Sequence, residues 1–395
     1  MRIVGIRKLN QVRQIMQGLE VDSYGINIML PKSVTYLVRI NNVSIIAANI
    51  LKQEMLSLGA DAALPRGVLT GKLKKTDCLL IANLSQYSRL ITKLKLQPFG
   101  LAAFSNDLSV LLENYQTSLF SLDLGKTKLD LGRRSKVMGI INVTADSFSA
   151  DGLINQPVEA VVEYAQRLVA DGADIIDIGG ESTRPGARPV SLKEELRRVI
   201  PVVKAISKKL KVPVSVDTSK FEVAKQALDN GAVIINDVTG LRDAKMAKVV
   251  SAHKAAVVIM HMKGTPQNMQ RNPEYGCLLE EIIGYFKQAI DRAREYGIKK
   301  DKILIDPGIG FGKLLEHNLE IINHLEEFKI LGMPILVGPS RKSFIGKLLK
   351  VEAGDRLSGT IAASVLAVRH GASIVRGHDV LELKRALVVA DAILN

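Results

Sequence analysis

The sequence predicts an α/β protein: a (β/α)8 TIM barrel preceded by a smaller mixed α/β domain. Three observations predict it. From residue 137 onward, short apolar runs rich in Val and Ile alternate with longer segments of helical spacing. Eight such runs occur, and they fill about 260 residues, close to the usual size of such a barrel. Each run closes on a Gly, an Asp or another polar residue, as strands of a parallel sheet covered on both faces do.

The runs are 137–144 (VMGIINVT), 173–180 (ADIIDIGG), 213–219 (PVSVDTS), 233–239 (VIINDVT), 255–262 (AAVVIMHM), 302–308 (KILIDPG), 334–340 (PILVGPS) and 372–380 (ASIVRGHDV). An open doubly wound sheet is the alternative architecture, and the count of eight favours the barrel. The intervening segments carry the helical period. Residues 157–173 place Val158, Val161, Val162, Ala165, Leu168 and Val169 on one face, with Gly172 suited to a left-handed cap. Residues 278–298 repeat the pattern, ending at Gly297.

The first 120 residues read as a separate mixed domain. A strand is expected over 1–9, a helix over 44–60 ended at Gly59, a strand over 77–84 and a helix over 85–96. The polar, basic stretch 121–136 reads as a linker, and 137–395 as the barrel.

Composition narrows the function classes. Of the 395 residues 47 % are hydrophobic, enough for two cores, yet no apolar run approaches the roughly 20 residues that span a bilayer. The N-terminal ten residues scatter charge through what a signal peptide would keep apolar. Cys78 and Cys277 have neither disulfide-framework nor metal-ligand spacing. A cytoplasmic protein is expected. Net charge is +14, and residues 1–136 hold 19 Lys and Arg against 9 Asp and Glu. Aromatic residues are sparse there, so this reads as a solvated basic face and no nucleic-acid partner is expected.

Barrel chemistry gathers at the C-terminal ends of the strands. Those ends carry Asn142, Glu181, Arg184, Asp217, Asn236, His261, Asp306, Lys342, Arg376 and His378. Asp217 or Asn236 taken singly could cap the next helix. Ten such groups at one mouth, above apolar strand bodies, are poorly explained by capping.

Seven of these strand ends lie in segments that resemble one family in order: 141–148 (INVTADSF), 179–187 (GGESTRPGA), 215–219 (SVDTS), 235–238 (INDV), 306–313 (DPGIGFGK), 338–344 (GPSRKSF) and 376–380 (RGHDV). Residues 137–395 are thereby similar to dihydropteroate synthase, which joins a pterin diphosphate to 4-aminobenzoate in folate biosynthesis. The resemblance implies that Asp217, Asn236, Asp306 and Lys342 read the pterin, with Met260 and Phe311 beside its ring. It places the leaving pyrophosphate at Asn142, Arg184, Arg376 and His378, where an arginine fork suits phosphate oxygens. It implies Mg²⁺ on Asn142, and aminobenzoate near Phe148, Thr183, Pro185, Ser340 and Lys342. Lys342, Arg376, His378, Arg184 and Asp151 are the implied catalytic set, and a homodimer built through barrel helices is the implied assembly.

The chain departs from the family pattern in the first loop, with Ala145 in place of Pro and Ala150 in place of the loop aspartate, Asp151 standing one place later. Two related readings share parts of the pattern. A methyltetrahydrofolate–corrinoid methyltransferase would use the Asp217, Asn236, Asp306 slot but not the 141–148 and 182–186 segments. A non-catalytic pterin-binding protein would have little use for Lys342, Arg376 and His378 together. The GIGFGK glycines are too weak a signal for a dinucleotide loop, and GVLTGKL has the wrong spacing for a P-loop. The N-terminal domain shows no pyrophosphokinase signature and reads as an interaction or stabilising module.

Overall fold

A computed structural model describes residues 1–5, 9–68, 70, 73–144, 156–182 and 187–394. The chain divides into two compact units, Met1–Glu113 and Asn114–Asn395.

In the first unit, α1 (Leu9–Gly18) and α2 (Ser23–Met29) precede β1 (Thr35–Ser44), α3 (Ile45–Ser57), β2 (Asp61–Ala63), β3 (Lys75–Asn83), α4 (Leu84–Leu94) and α5 (Leu101–Gln116). Among the described residues the strands form an antiparallel sheet of order β1-β3-β2. The helix over 44–60, the strand over 77–84 and the helix over 85–96 are present within a few residues. The strand expected over 1–9 is not: residues 1–5 have no regular structure and a helix starts at Leu9. Ile3 is fully exposed, and the apolar residues that follow have a helical period with Val12 buried. The strand β1 was not anticipated, although Tyr36, Val38 and Ile40 alternate inward along it.

Caps fix the joints of this unit. The Ser44 side chain accepts from Ala47 N at the start of α3. Asn83 and Gln86 form a reciprocal capping box at the start of α4, satisfying two orphan amides. Tyr87 is wholly buried, and its hydroxyl donates to the carbonyls of Leu80 and Tyr36, at 3.0 and 3.1 Å. A buried phenol needs such a partner.

The second unit opens with a hairpin, β4 (Phe120–Asp123) and β5 (Lys128–Leu131), in the stretch read as a linker. The barrel follows: β6 (Lys136–Asn142), α6 (Val158–Ala170), β7 (Ile175–Gly179), α7 (Leu192–Lys209), β8 (Val214–Asp217), α8 (Phe221–Asp229), β9 (Ile234–Asp237), α9 (Ala244–Ala252), β10 (Ala256–Met260), α10 (Leu278–Glu295), β11 (Ile303–Asp306), α11 (Leu315–Asn323), β12 (Ile335–Val337), α12 (Ser343–Leu349), α13 (Leu357–Arg369), β13 (Ala372–Gly377) and α14 (Val380–Leu394). The eight strands β6–β13 close into a parallel barrel, each coinciding with one of the eight apolar runs. Gly172 and Gly297 take positive φ after α6 and α10, as left-handed caps require.

Two apolar layers build this unit. The outward strand residues, such as Ile176, Ile178, Val216 and Ile235, pack with the buried faces of the helices. The inward residues near the strand starts, such as Met138, Ile175, Ile234, Leu304 and Ile374, fill the barrel itself. Leu122, Leu124 and Leu131 of the hairpin join that inner cluster. Residues 121–136 therefore supply core as well as connection. The charged tip is held too, since the nearly buried Lys302 ammonium meets Asp123 at 3.0 Å.

Candidate active site

Strand register sets the site. Asn142 pairs with Gly179, Gly179 with Asp217, and Asp217 with Asn236, so β6 to β9 present one continuous rung at the barrel mouth. Met260 pairs with Asp306 at the ends of β10 and β11. Side chains alternate across a strand, and therefore the inward residues of this rung all face the same cleft. The cleft is lined by Asp217, Asn236, Met260, Asp306, Lys342 and Arg376, with Val238, Ile309, Phe311 and Gly338.

Its polar groups are nearly buried: Asp217 is 8 %, Asn236 3 % and Asp306 6 % exposed. Burial pushes the Asp217 carboxyl up to about 7, against the downward pull of Arg376. Burial likewise raises Asp306 to about 6, although Gly308 N donates to it at 2.7 Å. Two carboxyl groups thus titrate near neutrality, a pattern typical of functional sites. The cleft also has an apolar side of Val238, Met260 and Phe311, which cluster with Met262 and Met269. The Lys342 ammonium stands 4.1 Å from the centre of the Phe311 ring, within cation–π range. A flat, polar-edged heterocycle fits a slot with hydrogen-bonding groups along one side and an apolar face on the other.

A second group of side chains stands beside the slot. Arg376 donates from Nε to Asp177 Oδ2 at 2.6 Å and from Nη2 to Asp217 Oδ2 at 2.9 Å. His378 lies within 3.0 Å of Ser340 Oγ through Nδ1, and Asn142 Nδ2 is 3.4 Å from its Nε2. The tautomer protonated on Nδ1 satisfies both contacts. Arg376, His378 and Asn142 are thus gathered on one side of the mouth.

Among the described residues no group of three or more His, Cys, Asp or Glu could cage a metal. Asn142 turns its nitrogen toward His378 and leaves its oxygen beside Gly179, where a Cβ would lie 3.7 Å away. A single amide oxygen in such an open corner suits Mg²⁺, which keeps several waters and takes few protein ligands.

The structure thus brings together Asn142, Asp217, Asn236, Met260, Asp306, Phe311, Ser340, Lys342, Arg376 and His378. Ser340, expected near aminobenzoate, is bonded to His378, whose backbone N–H also donates to its hydroxyl. Phe148, Asp151, Thr183, Arg184 and Pro185 lie outside the described residues. Sequence reasoning missed Asp177, whose signal is a charge in mid-strand of an otherwise apolar barrel run. It also missed Lys313, which is 3 % exposed and packs its ammonium 2.9 Å from His261 Nδ1 and 3.0 Å from the Phe311 carbonyl. Burial lowers Lys313 to about 7.

Comparison with known proteins agrees with this geometry. Residues 138–378 match the family model for pterin binding enzymes. The chain is 47 % identical over 274 residues to the dihydropteroate synthase of a Synechocystis species, covering 69 % of this chain and 94 % of that one. A crystal structure of the Yersinia pestis dihydropteroate synthase in complex with a sulfonamide drug superposes with a TM-score of 0.67 at 44 % identity, covering 69 % of this chain and 99 % of that one. A probable bifunctional folylpolyglutamate synthase/dihydropteroate synthase of Halobacterium salinarum is 39 % identical over 389 residues. That match covers 98 % of this chain and 46 % of that one, so the first unit has a counterpart there. A barrel whose mouth carries this slot and whose sequence matches at this level belongs to the pterin-binding enzyme family and, within it, to the dihydropteroate synthases.

Proposed function

We propose that this chain condenses 6-hydroxymethyl-7,8-dihydropterin diphosphate with 4-aminobenzoate, releasing 7,8-dihydropteroate and pyrophosphate. The observation that carries the reading is the convergence of Asp217, Asn236 and Asp306 on a cleft walled by Met260 and Phe311. Ionised Asp217 and Asp306 accept pterin N–H groups, and the Asn236 amide both donates and accepts. Asn236 Nδ2 is held by Asp177 at 3.1 Å, and its buried oxygen has no partner in the protein. That oxygen is ready for a ligand donor.

In the reaction the pterin methylene C–O bond breaks, and its electron pair leaves on the pyrophosphate. The arylamine nitrogen lone pair forms the new C–N bond, and the nitrogen then loses a proton. Arg376, His378 and Asn142 surround the pyrophosphate, so the N–H groups of Arg376 and Asn142 meet charge where it develops. Lys342, beside Phe311, adds positive charge at the junction of the two substrates. Mg²⁺, bound at Asn142, would neutralise part of the leaving group's charge. Most of the rate enhancement then comes from positioning and fixed electrostatics.

No described helix is long and apolar enough to cross a membrane. We place the activity in the cytoplasm, since its diphosphate substrate is too charged to cross a bilayer unaided. Exposed Leu366 on α13 and Val388, Val389 and Ile393 on α14 support assembly as a homodimer through these helices. The reaction is tested by pyrophosphate release from the purified chain, with pterin diphosphate, aminobenzoate and Mg²⁺ each omitted in turn. Release that requires all three, with dihydropteroate as product, is the expected result. Tight pterin binding without turnover would replace the enzyme by a binding protein.

A further inference from the structure

Two strand ends of the mouth are clasped by an ion pair that the reaction above does not use. Arg341 follows Ser340 after β12, and Asp379 follows His378 after β13. Arg341 Nε donates to Asp379 Oδ2 at 3.1 Å, and its Nη2 donates to Oδ1 at 2.5 Å. Such a two-pronged fork fixes direction as well as distance. The two side chains are 20 % and 16 % exposed, so water screens this pair less than a surface one.

The two partners are held unequally. Arg341 has a φ of 55°, a left-handed backbone that is costly for any residue with a Cβ and persists only where its surroundings impose it. Its N–H donates to Thr360 Oγ1 at 3.0 Å, and its carbonyl accepts from Arg356 Nη1 at 3.0 Å. Thr360 is fully buried on α13. Arg356 packs against Gly346, where a Cβ would lie 2.5 Å from the guanidinium. Arg341 is thus a post fixed through its own backbone, with or without the ion pair, and Asp379 is the tethered end. A parallel link runs beside the clasp, in which the N–H and Nδ1 of His378 both meet Ser340 Oγ. His378 Nε2 then lies 3.4 Å from Asn142 Nδ2. Arg376 has its own supports in Asp177 and Asp217. The clasp therefore bears on His378 and, through it, on the Asn142 amide.

We propose that Arg341 and Asp379 are positioning residues for the diphosphate end of the pterin substrate, acting through His378. This rests on the reading above that sets the leaving pyrophosphate beside Asn142, Arg376 and His378.

Calorimetric titration tests it, comparing the full chain with Asp379→Asn, Arg341→Gln and Arg341→Lys. The ligands are 6-hydroxymethyl-7,8-dihydropterin diphosphate and the same pterin without its diphosphate, both with Mg²⁺. Asparagine suits a helix start as well as aspartate does, so Asp379→Asn removes the charge without disfavouring the start of α14. Asp379→Asn and Arg341→Gln should each weaken the diphosphate ligand about tenfold and the bare pterin less than about twofold. Arg341→Lys should recover part of the loss. In a His378→Ala background either change should add less than about twofold, because the pair acts through that ring. Arg341→Gln keeps its backbone anchors, so it carries the same comparison even if Asp379→Asn fails to fold. Parent-like diphosphate affinity in the folded variants, an equal loss for both ligands, or an undiminished loss in the His378→Ala background would overturn the proposal. A parent chain that binds both ligands equally would instead sink the placement of the pyrophosphate, and this proposal with it.

Discussion

Arg376 is anchored from behind by Asp177, with Nε 2.6 Å from Oδ2. Asp177 is fully buried and does not line the cleft, so it touches the reaction only through this guanidinium and through Asn236. Truncating one partner of a buried charged pair is more damaging than replacing both. Asp177→Asn keeps the shape and loses the charge. It should lower kcat/KM by about tenfold, ~1.4 kcal/mol of transition-state stabilisation, while Asp177→Ala should lose more and unfold at lower urea. Steady-state kinetics and urea titration on both variants check this. Parent-like kinetics in folded Asp177→Asn would show that Asp217 alone holds the arginine.

The raised carboxyls give the site opposite pH slopes for folding and for binding. Asp217 sits near 7 and Asp306 near 6 in the fold, against about 4 in an unfolded chain. A raised folded value favours the protonated form, so this stabilisation is full below about pH 4 and lost as pH rises through 6 to 7. Pterin recognition needs the ionised form and strengthens over that window. Relative to Asp217→Asn, the parent should lose unfolding free energy from pH 4.5 to 7.5, and its pterin affinity should rise. Affinity that stays flat from pH 5 to 8 would remove Asp217 from pterin recognition.

Lys313 has the reverse sign. Burial lowers it to about 7, whereas an unfolded lysine stays protonated to about 10.4. The unfolded chain then binds more protons between those values, and stability rises with pH across them. The parent should gain unfolding free energy from pH 7 to 9.5, and Lys313→Met should lose that gain. Chemical denaturation at the two pH values decides it, and an identical gain in the variant would exclude Lys313 as its source.

The hairpin before the barrel should behave as core. Leu122 is 1 % exposed and joins the cluster that fills the barrel floor. Leu122→Ala should cost about 2–5 kcal/mol, measured by urea unfolding. A cost under about 0.5 kcal/mol would return residues 121–136 to the role of a tether.

The barrel was legible because burial on both faces leaves a parallel strand little freedom but to be apolar, and all eight runs became strands. The polar lining of the barrel mouth was legible because polar residues ending such runs stand out. Asp177 was harder, since a charge inside a run resembles a break in the pattern until Arg376 arrives from a strand 199 residues away. The ion pairs of Lys220 with Glu181 and with Glu195 were invisible for the same reason: all three look like ordinary surface charges on their own segments. The hairpin was misjudged because its polar residues outnumber the three leucines that matter, and local composition does not show what a segment will cover. At the N-terminus, the apolar residues of 1–9 suggested a strand, yet residues 1–5 have no regular structure and α1 begins at Leu9.

Gly308 follows Asp306 by two residues, and a Cβ there would lie 2.0 Å from the His261 carbonyl oxygen. The turn behind Asp306 thus abuts the neighbouring strand end with no room for even a methyl group. Inherited variation in this chain has little latitude at that spot, because any replacement must displace backbone that also carries Met260 and Asp306.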